Sequence, residues 1–323
     1  MTTVRKLIAE YAAMAGIWVG LIVVFSLTSE HFLNQHTVPL IANRIPPLTL
    51  IAVGMTFVLI IGGIDLSVGS VMGLGGALLG VTLVDWNWSL PMAISLAILA
   101  GAAVGLVNGG VSAGIGIPSF IVSLGMLEIA RGLAYMATDS QTKFIGAKID
   151  HLGNPIAGLG LPPAFIMAIF TVIAGQVLLR CTAFGRRVLA IGANENAAHL
   201  AGIRTRSHKI IVFTMAGALA GLAAVCYTAR LPSADPNAGS GLELSAIAAV
   251  VIGGTSLMGG RGSVVNSFFG VLIIATLDHG LNHTGASETS KRVITGMVII
   301  VAVIVDSIRE RWTNSRARHE TNS

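Results

Sequence analysis

The sequence has few charged residues and almost no cysteine. Only 11% of its 323 residues are charged, whereas a soluble domain carries about 25%. Hydrophobic residues make up 54% of the chain, and the mean hydropathy is +0.80. The shortage of charge excludes an ordinary soluble protein and predicts an all-α, polytopic membrane protein. The two cysteines, Cys181 and Cys226, indicate neither a disulfide nor a metal site.

Motifs for catalysis and nucleotide binding are also missing. The chain has no G-x-x-x-x-G-K-[ST] run, the loop that cradles the phosphates of a bound nucleotide. It has no nucleophile–base or metal-ligand cluster, so we expect neither an enzyme nor a chain that binds a cofactor. The 20 Lys and Arg exceed the 15 Asp and Glu, but they lie mainly in short segments between apolar runs. This distribution follows the positive-inside rule and excludes a nucleic-acid-binding protein.

Ten apolar segments are long enough to be membrane spans within a single transmembrane domain over 1–323. They cover about 11–27, 47–62, 66–84, 91–111, 117–137, 162–179, 210–228, 242–258, 264–281 and 293–308. Interrupted segments could instead be re-entrant. An even number of spans places both termini on one side of the membrane. That side holds thirteen Lys and Arg against six on the other, so we expect both termini in the cytoplasm.

The longest charged interruption is Arg180–Lys209, which contains six of the twenty Lys and Arg and is expected in the cytoplasm. Within it, Asn194 can cap a short helix with Glu195 in its first turn, and Gly202 can end it. The two turns over Glu195–Ala201 are marginal in water on their own. Their small apolar face therefore needs a second surface, unless the segment is only a basic loop that fixes the topology.

A weak internal repeat indicates two pseudo-repeated halves. The run IGGIDL, which begins at Ile61, parallels IGGTSL, which begins at Ile252. Each copy holds a glycine pair at the end of an apolar run: Gly62 and Gly63 in the first, Gly253 and Gly254 in the second. Both copies would descend toward the cytoplasm, as in a parallel repeat. Glycine pairs also recur by chance in glycine-rich membrane proteins.

Four stretches of the chain form a known pattern. They are GMTFVLIIGGIDLSVGS at Gly54–Ser70, GLVNGGVSAGIGIPSFIVSLGMLEIARGLAY at Gly105–Tyr135, FGRRVLAIGANENAAHLAGI at Phe184–Ile203 and AVVIGGTSLMGGRGSV at Ala249–Val264. Together they resemble the permease subunit of bacterial ABC importers for monosaccharides, in the ribose, xylose and arabinose branch. The resemblance covers nearly the whole chain and implies an inner-membrane protein that translocates a sugar by alternating access.

The resemblance also implies partners and a coupling site. The partners are a cytoplasmic ATPase that holds ATP and Mg²⁺, a periplasmic sugar-binding protein, and a second copy of the permease or a paralogue. Importer permeases carry the looser signature E-A-A-x-x-x-G, which appears here over Asn196–Gly202 with the Glu either replaced by Asn or displaced to Glu195. The coupling helix that would dock into the ATPase comprises Glu195, Asn196, Ala197, Ala198, Leu200 and Gly202.

Polar residues inside or beside the spans leave alternatives open. Asp65 fits a helix cap, and Asn108 fits a bond across helices. Glu128 and Arg131 stand one turn apart and could pair. A carboxylate at Asp65 or Glu128 would also suit an ion-coupled secondary transporter. The wider superfamily includes carriers of nucleosides and branched-chain amino acids, against which the GGIDLSVGS stretch argues. Because only 6% of the residues are aromatic, the sequence does not indicate where a sugar binds.

Overall fold

The computed structural model describes residues 2–28, 32–34, 37–283, 287, 289–290, 293–294, 296–297, 300 and 304. The helices in these ranges are α1 (Thr2–Thr28), α2 (Thr37–Arg44), α3 (Pro46–Ile60), α4 (Val68–Gly80), α5 (Leu90–Ile115), α6 (Ser119–Thr138), α7 (Pro163–Cys181), α8 (Ala183–Ala193), α9 (Glu195–Leu200), α10 (Thr205–Arg230), α11 (Leu242–Ile252) and α12 (Val264–His283). A π-helical turn, Val81–Asp85, continues α4. Strands β1 (Lys143–Phe144) and β2 (Ser233–Ala234) pair antiparallel, and two 3₁₀ turns, Gly146–Lys148 and Asp150–Leu152, follow β1.

Seven helices of the described part are long and apolar enough to cross a membrane. They are α1 from Tyr11 onward, α4 with its π-helical turn, α5, α6, α7, α10 and α12. Helices α2 and α3 meet at a 47° bend and form an eighth span if they are counted together. A polytopic helical membrane protein is therefore confirmed. The total of ten spans stays a prediction, because the segment at 293–308 falls mostly outside the described residues.

The segment predicted as a span over 242–258 is too short to cross the bilayer as a single helix. Helix α11 has 11 residues, so it is about 16 Å long against a hydrocarbon core of about 30 Å. The helix ends because Gly254 adopts a φ of +80° and its N–H bonds to the oxygen of Val251 at 2.8 Å. The N–H of Thr255 returns to Val250 at 3.2 Å, which completes a Schellman-type end.

Helix α3 ends with the same hydrogen-bond pattern. Gly62 has a φ of +75° and donates to Leu59 at 2.9 Å, and Gly63 donates to Val58 at 2.9 Å. The structure therefore matches Gly62 with Gly254. The sequence repeat instead aligns Gly62 with Gly253, so the two alignments differ by one residue. The two glycine pairs end helices in the same way, while the division of the whole chain into two repeated halves stays a prediction.

The centre of the fold is α3, all of whose residues are buried. A helix that is apolar on every side must be enclosed by other helices, and here α10 packs against α3, α4 and α5. Glycines permit this close packing. A Cβ at Gly105 would lie 2.1 Å from the oxygen of Phe213, and one at Gly217 would lie 2.1 Å from the oxygen of Gly101. The backbones of α5 and α10 are thus in direct contact, as small residues allow in membrane helices.

The loops gather at two opposite ends of the helical body. At one end, Lys143 in β1 lies opposite Ala234 in β2, and its Nζ is 2.7 Å from the Asp85 carboxylate. Lys148 lies at the same end and donates to the oxygen of Leu83 at 2.6 Å. The other end holds α8, α9 and the turns that follow α3 and α5. This separation agrees with the predicted alternation of the spans.

Labelling of single cysteines should report which end faces the cytoplasm. Ser140 and Ser207 are both exposed and lie at opposite ends. In a background with Cys181→Ser, we expect a membrane-impermeant thiol reagent added outside the cell to modify Ser140→Cys but not Ser207→Cys. Disrupting the membrane should make both variants reactive. External labelling at position 207 alone would invert the topology and remove α9 from the reach of any cytoplasmic partner.

Candidate functional site

The short helix predicted in the basic segment is present as α9. The side-chain oxygen of Asn194 accepts from the N–H of Ala197 at 2.9 Å, which is an N-cap. At the other end Gly202 adopts a φ of +81°, and the N–H of Ile203 bonds to the oxygen of Ala198 at 3.0 Å. Both predicted helix boundaries are confirmed, because they depend on these local interactions.

Helix α8, which precedes α9, was not predicted. The Thr182 hydroxyl caps it by accepting from the N–H of Gly185 at 3.2 Å. Val188 and Ile191 are buried, so one face of α8 packs against the body of the protein. A Thr followed by apolar residues at helical spacing is a helix-start signal that could have identified α8. The predicted cytoplasmic segment 180–209 is therefore two consecutive capped helices rather than a loop with one short helix.

Helix α9 exposes most of its apolar surface. Leu200 is 87% exposed, and Ala197 and Ala201 are also exposed. These three residues form the apolar tip, and they are the ones that the sequence placed on one face. Ala198 is only 5% exposed, so it packs against its own chain. Of the predicted coupling residues, Ala198 therefore seats α9 on the permease body, while Ala197 and Leu200 are available to another surface.

Exposed basic side chains lie on the segments that precede and follow α9. Glu195 is tied to α10 through an ion pair in which its Oε2 lies 2.6 Å from Lys209 Nζ. Both side chains are partly exposed, so this pair contributes at most about 1 kcal/mol. Asn196 is exposed beside it. Four further arginines are exposed on α8 and around α9: Arg186, Arg187, Arg204 and Arg206. The segment that contains α8 and α9 thus combines the apolar tip with exposed cationic side chains.

Helix α8 is in contact with the end of α3 and with the loop before α12. Gly260, in the loop before α12, donates its N–H to the oxygen of Ile60 at the end of α3, at 2.9 Å. Gly192 of α8 lies directly against that bond. A Cβ on Gly192 would be 1.7 Å from the oxygen of Ile60 and 2.5 Å from the nitrogen of Gly260. Three backbone segments therefore meet at one point: α8, the end of α3 and the loop before α12.

A cleft of about 360 Å³ separates α9 from the turn after α3. Its walls are the glycine turn Ile61–Gly63, the junction of α5 and α6, and the side chains of Glu195, Arg206 and Lys209. The cleft lies at the same end of the body as α9.

Asp65 lies behind this turn and is fully enclosed. Its Oδ1 accepts from the N–H of Ser67 at 2.9 Å and from the Ser67 hydroxyl at 2.6 Å, which forms an Asx turn. Ser67 occupies the N-cap position of α4 and its side chain makes no capping bond, so the predicted cap by Asp65 does not form. Asn108 donates from α5 to the Ser67 hydroxyl at 2.9 Å, which confirms the predicted bond across helices. Burial raises the pKa of Asp65 above its ordinary value, against the opposing effect of these hydrogen bonds. The Asp65 side chain therefore has a structural role, which is to hold Ser67 before α4.

The predicted pair between Glu128 and Arg131 does not form. Arg131 Nη1 donates to the backbone oxygens of Pro236 and Ala238, at 2.9 Å in the second case, so it holds the loop before α11. Glu128 is exposed on another side of α6. Spacing along one helix could not show that a loop distant in sequence competes for the guanidinium group. Within the described ranges, no group of three or more His, Cys, Asp or Glu is placed to hold a metal ion.

Comparison with known proteins identifies the family. A family model described as "Branched-chain amino acid transport system / permease component" matches residues 38–303. The chain belongs to this permease family. The ribose import permease RbsC of Bacillus subtilis is 39% identical over 301 residues, covering 88% of this chain and 89% of the relative. The L-arabinose ABC transporter permease AraH of Azospirillum brasilense is 35% identical over 320 residues, covering 94% and 92%. No solved structure matches the chain.

The comparisons confirm the resemblance that the four sequence stretches indicated. RbsC of Escherichia coli K12 is 38% identical over 298 residues, or 90% of this permease and 91% of the relative. The family match includes α8, α9, both glycine turns and α6. The permease is therefore a transport subunit and a multi-pass protein of the bacterial inner membrane.

Proposed function

We propose that this permease is the membrane subunit of an ABC importer for monosaccharides and that a separate ATPase drives it. The observation that supports the coupling is the uncovered apolar tip of α9, where Leu200 is 87% exposed, with exposed arginines on the segments that precede and follow α9. A Leu at the end of a short cytoplasmic helix has no lipid to enter and contributes about 1.5–3 kcal/mol once a partner covers it. A groove with acidic residues at its rim would complement this surface.

The backbone contact at Gly192 offers a route from α9 to the membrane helices. ATP-driven closure of two ATPase subunits would move α8 and α9 in each of two permease chains, either identical or paralogous. Gly192 is in close backbone contact with Ile60 and Gly260. The end of α3 and the loop before α12 would therefore move together with α8. A sugar delivered by a periplasmic binding protein would then gain access first to one side of the membrane and afterwards to the other.

The relatives favour a sugar over the other substrates of the superfamily. The description of the family model names branched-chain amino acids, but the individual relatives at 34% identity or above include permeases for ribose, D-allose and L-arabinose. A pentose or related monosaccharide is therefore the proposed substrate. An ion-coupled mechanism would need an available membrane carboxylate. Asp65 is held by hydrogen bonds to Ser67, whereas Glu128 is exposed on α6, so an imposed ion gradient is the test that separates the two mechanisms.

Reconstitution tests both the energy source and the substrate class. We expect proteoliposomes that contain the permease, the ATPase encoded beside it and the binding protein to accumulate ribose or a related monosaccharide only when ATP is supplied to the ATPase side. Leucine in place of the sugar serves as the control for the amino-acid alternative. Accumulation of sugar by the permease alone, under an imposed proton or sodium gradient, would contradict the ABC mechanism and support a secondary transporter.

A further inference from the structure

An acidic side chain is exposed in the middle of a membrane helix. Glu128 lies half-way along α6, which runs from Ser119 to Thr138, so it is about 14 Å from either end. Its side chain is exposed, and no hydrogen bond or ion pair joins it to any other residue that the structure describes. Leu124, one turn before Glu128 on the same face, and Ile129, about 100° around the helix from Glu128, are also exposed, at 52% and 55%.

Lipid cannot be the environment of Glu128. A charged side chain near the bilayer centre costs roughly 2.5–3.5 kcal/mol on insertion scales and more by other estimates, so such residues face the interior of an assembly or a water-filled cavity. Within the part of the chain that the structure describes, no element covers Glu128. The side chain must therefore face either a hydrated space or another protein surface.

Other residues on the same face of α6 favour a hydrated space. Gly125 and Gly132 stand about one turn on either side of Glu128, and a Cβ on either would meet nothing within 4 Å. Tyr135 is two turns from Glu128 toward the β1–β2 end of the body. Its hydroxyl donates to the side-chain oxygen of Asn237 at 2.7 Å, and both groups are exposed. Along this face, the Tyr135 ring and the Asn237 amide lie nearest the β1–β2 end. The uncovered backbone of Gly132 follows, and the Glu128 carboxylate lies at mid-membrane depth.

We infer that the Gly125–Glu128–Gly132–Tyr135 face of α6 lines the hydrated sugar path, with Glu128 as the mid-membrane acceptor of sugar hydroxyls. This inference rests on the proposed function. A neutral sugar offers several O–H donors, and a carboxylate accepts them in charge-assisted hydrogen bonds. The Tyr135 ring presents an apolar face with a polar edge, which suits the C–H face and the hydroxyls of a sugar. A site at the midplane is where alternating-access transporters hold their substrates.

Thiol accessibility tests the path without requiring transport. In a background with Cys181→Ser and Cys226→Ala, we expect a charged, water-soluble thiol reagent to modify Glu128→Cys in membranes that contain the complete transporter. Leu133→Cys is the matched control and should stay unmodified, because Leu133 is exposed at 45% but stands about 140° around α6 from Glu128. Excess transported sugar should slow the reaction at position 128. Absence of reaction at position 128, or rapid oxidative cross-linking between two permease copies there with no reaction toward the reagent, would overturn the inference in favour of a closed protein contact.

Transport measurements test the role of the carboxylate. We expect Glu128→Gln to lower sugar uptake at subsaturating sugar by about ten- to a hundred-fold, the value of one charge-assisted hydrogen bond. Basal ATP hydrolysis by the assembled transporter should be unchanged, because α9 is untouched. Ile129→Ala should keep both activities. Wild-type uptake by Glu128→Gln would refute the role of Glu128, whereas failure of the whole transporter to use ATP for uptake would refute the proposed function instead.

Discussion

Leu200→Asp should abolish sugar uptake and prevent the ATPase from co-purifying with the permease. Leu200 is 87% exposed, so its replacement removes no packing from the permease and should leave the protein in the membrane. In the complex, the substitution removes an apolar contact and places a carboxylate in an apolar groove, which is unfavourable unless the charge is paired. We expect at least a hundred-fold weaker docking, which corresponds to about 2.7 kcal/mol.

The measurement is recovery of the ATPase on detergent-solubilised permease, at equal permease abundance. Ala197→Trp should act in the same direction, because it adds bulk to the same exposed face. His199→Ala is the control: it lies on α9 and is exposed, but it is not part of the apolar tip, so its effect should be small. If both Leu200→Asp and Ala197→Trp recovered the ATPase at the wild-type level, the basic segment would be only a topology signal.

Gly192→Val should prevent movements of α8 and α9 from reaching the membrane helices α3 and α12. A side chain at this position would overlap the oxygen of Ile60 and the nitrogen of Gly260, and both atoms belong to backbone that cannot rotate away. Overpacking of this kind costs about 1–3 kcal/mol or more. We expect a lower melting temperature of the solubilised permease and loss of ATP-dependent uptake.

Gly110→Val provides the matched control for that substitution. Gly110 lies on α5, and a Cβ there would meet nothing within 4 Å, so the variant should keep the melting temperature and the uptake of the wild type. Recovery of the ATPase on the Gly192→Val permease separates uncoupling from loss of docking, since the tip of α9 is unaltered. Near-normal uptake by Gly192→Val would show that the contact with Ile60 is not part of the transmission.

Local features of the fold could be predicted from the sequence, because their causes are local. Asn194 and Gly202 determine where α9 begins and ends through hydrogen bonds within a few residues. The hydrogen bonds from Ser67 to Asp65 have the same short range, but they form a turn before α4 rather than the predicted helix cap. Long apolar runs likewise identified the seven long spans, since the bilayer imposes a minimum length on a membrane helix.

Features that depend on tertiary contacts could not be predicted in the same way. Arg131 bonds to a loop about a hundred residues away rather than to Glu128. The burial of Ala198 depends on α8 and α10, which the sequence of α9 does not contain. Each of these differences arises where distant segments decide the outcome.

Photo-cross-linking from position 200 tests the proposed coupling most directly. A photoreactive amino acid is placed at Leu200 in the transporter in its native membrane, with the same probe at Phe144, which is 75% exposed at the opposite end, as the control. We expect irradiation to join the permease to the ATPase from position 200 and not from position 144. The absence of an ATPase adduct from position 200, in a transporter that still imports sugar with ATP, would contradict the assignment of α9 as the coupling helix.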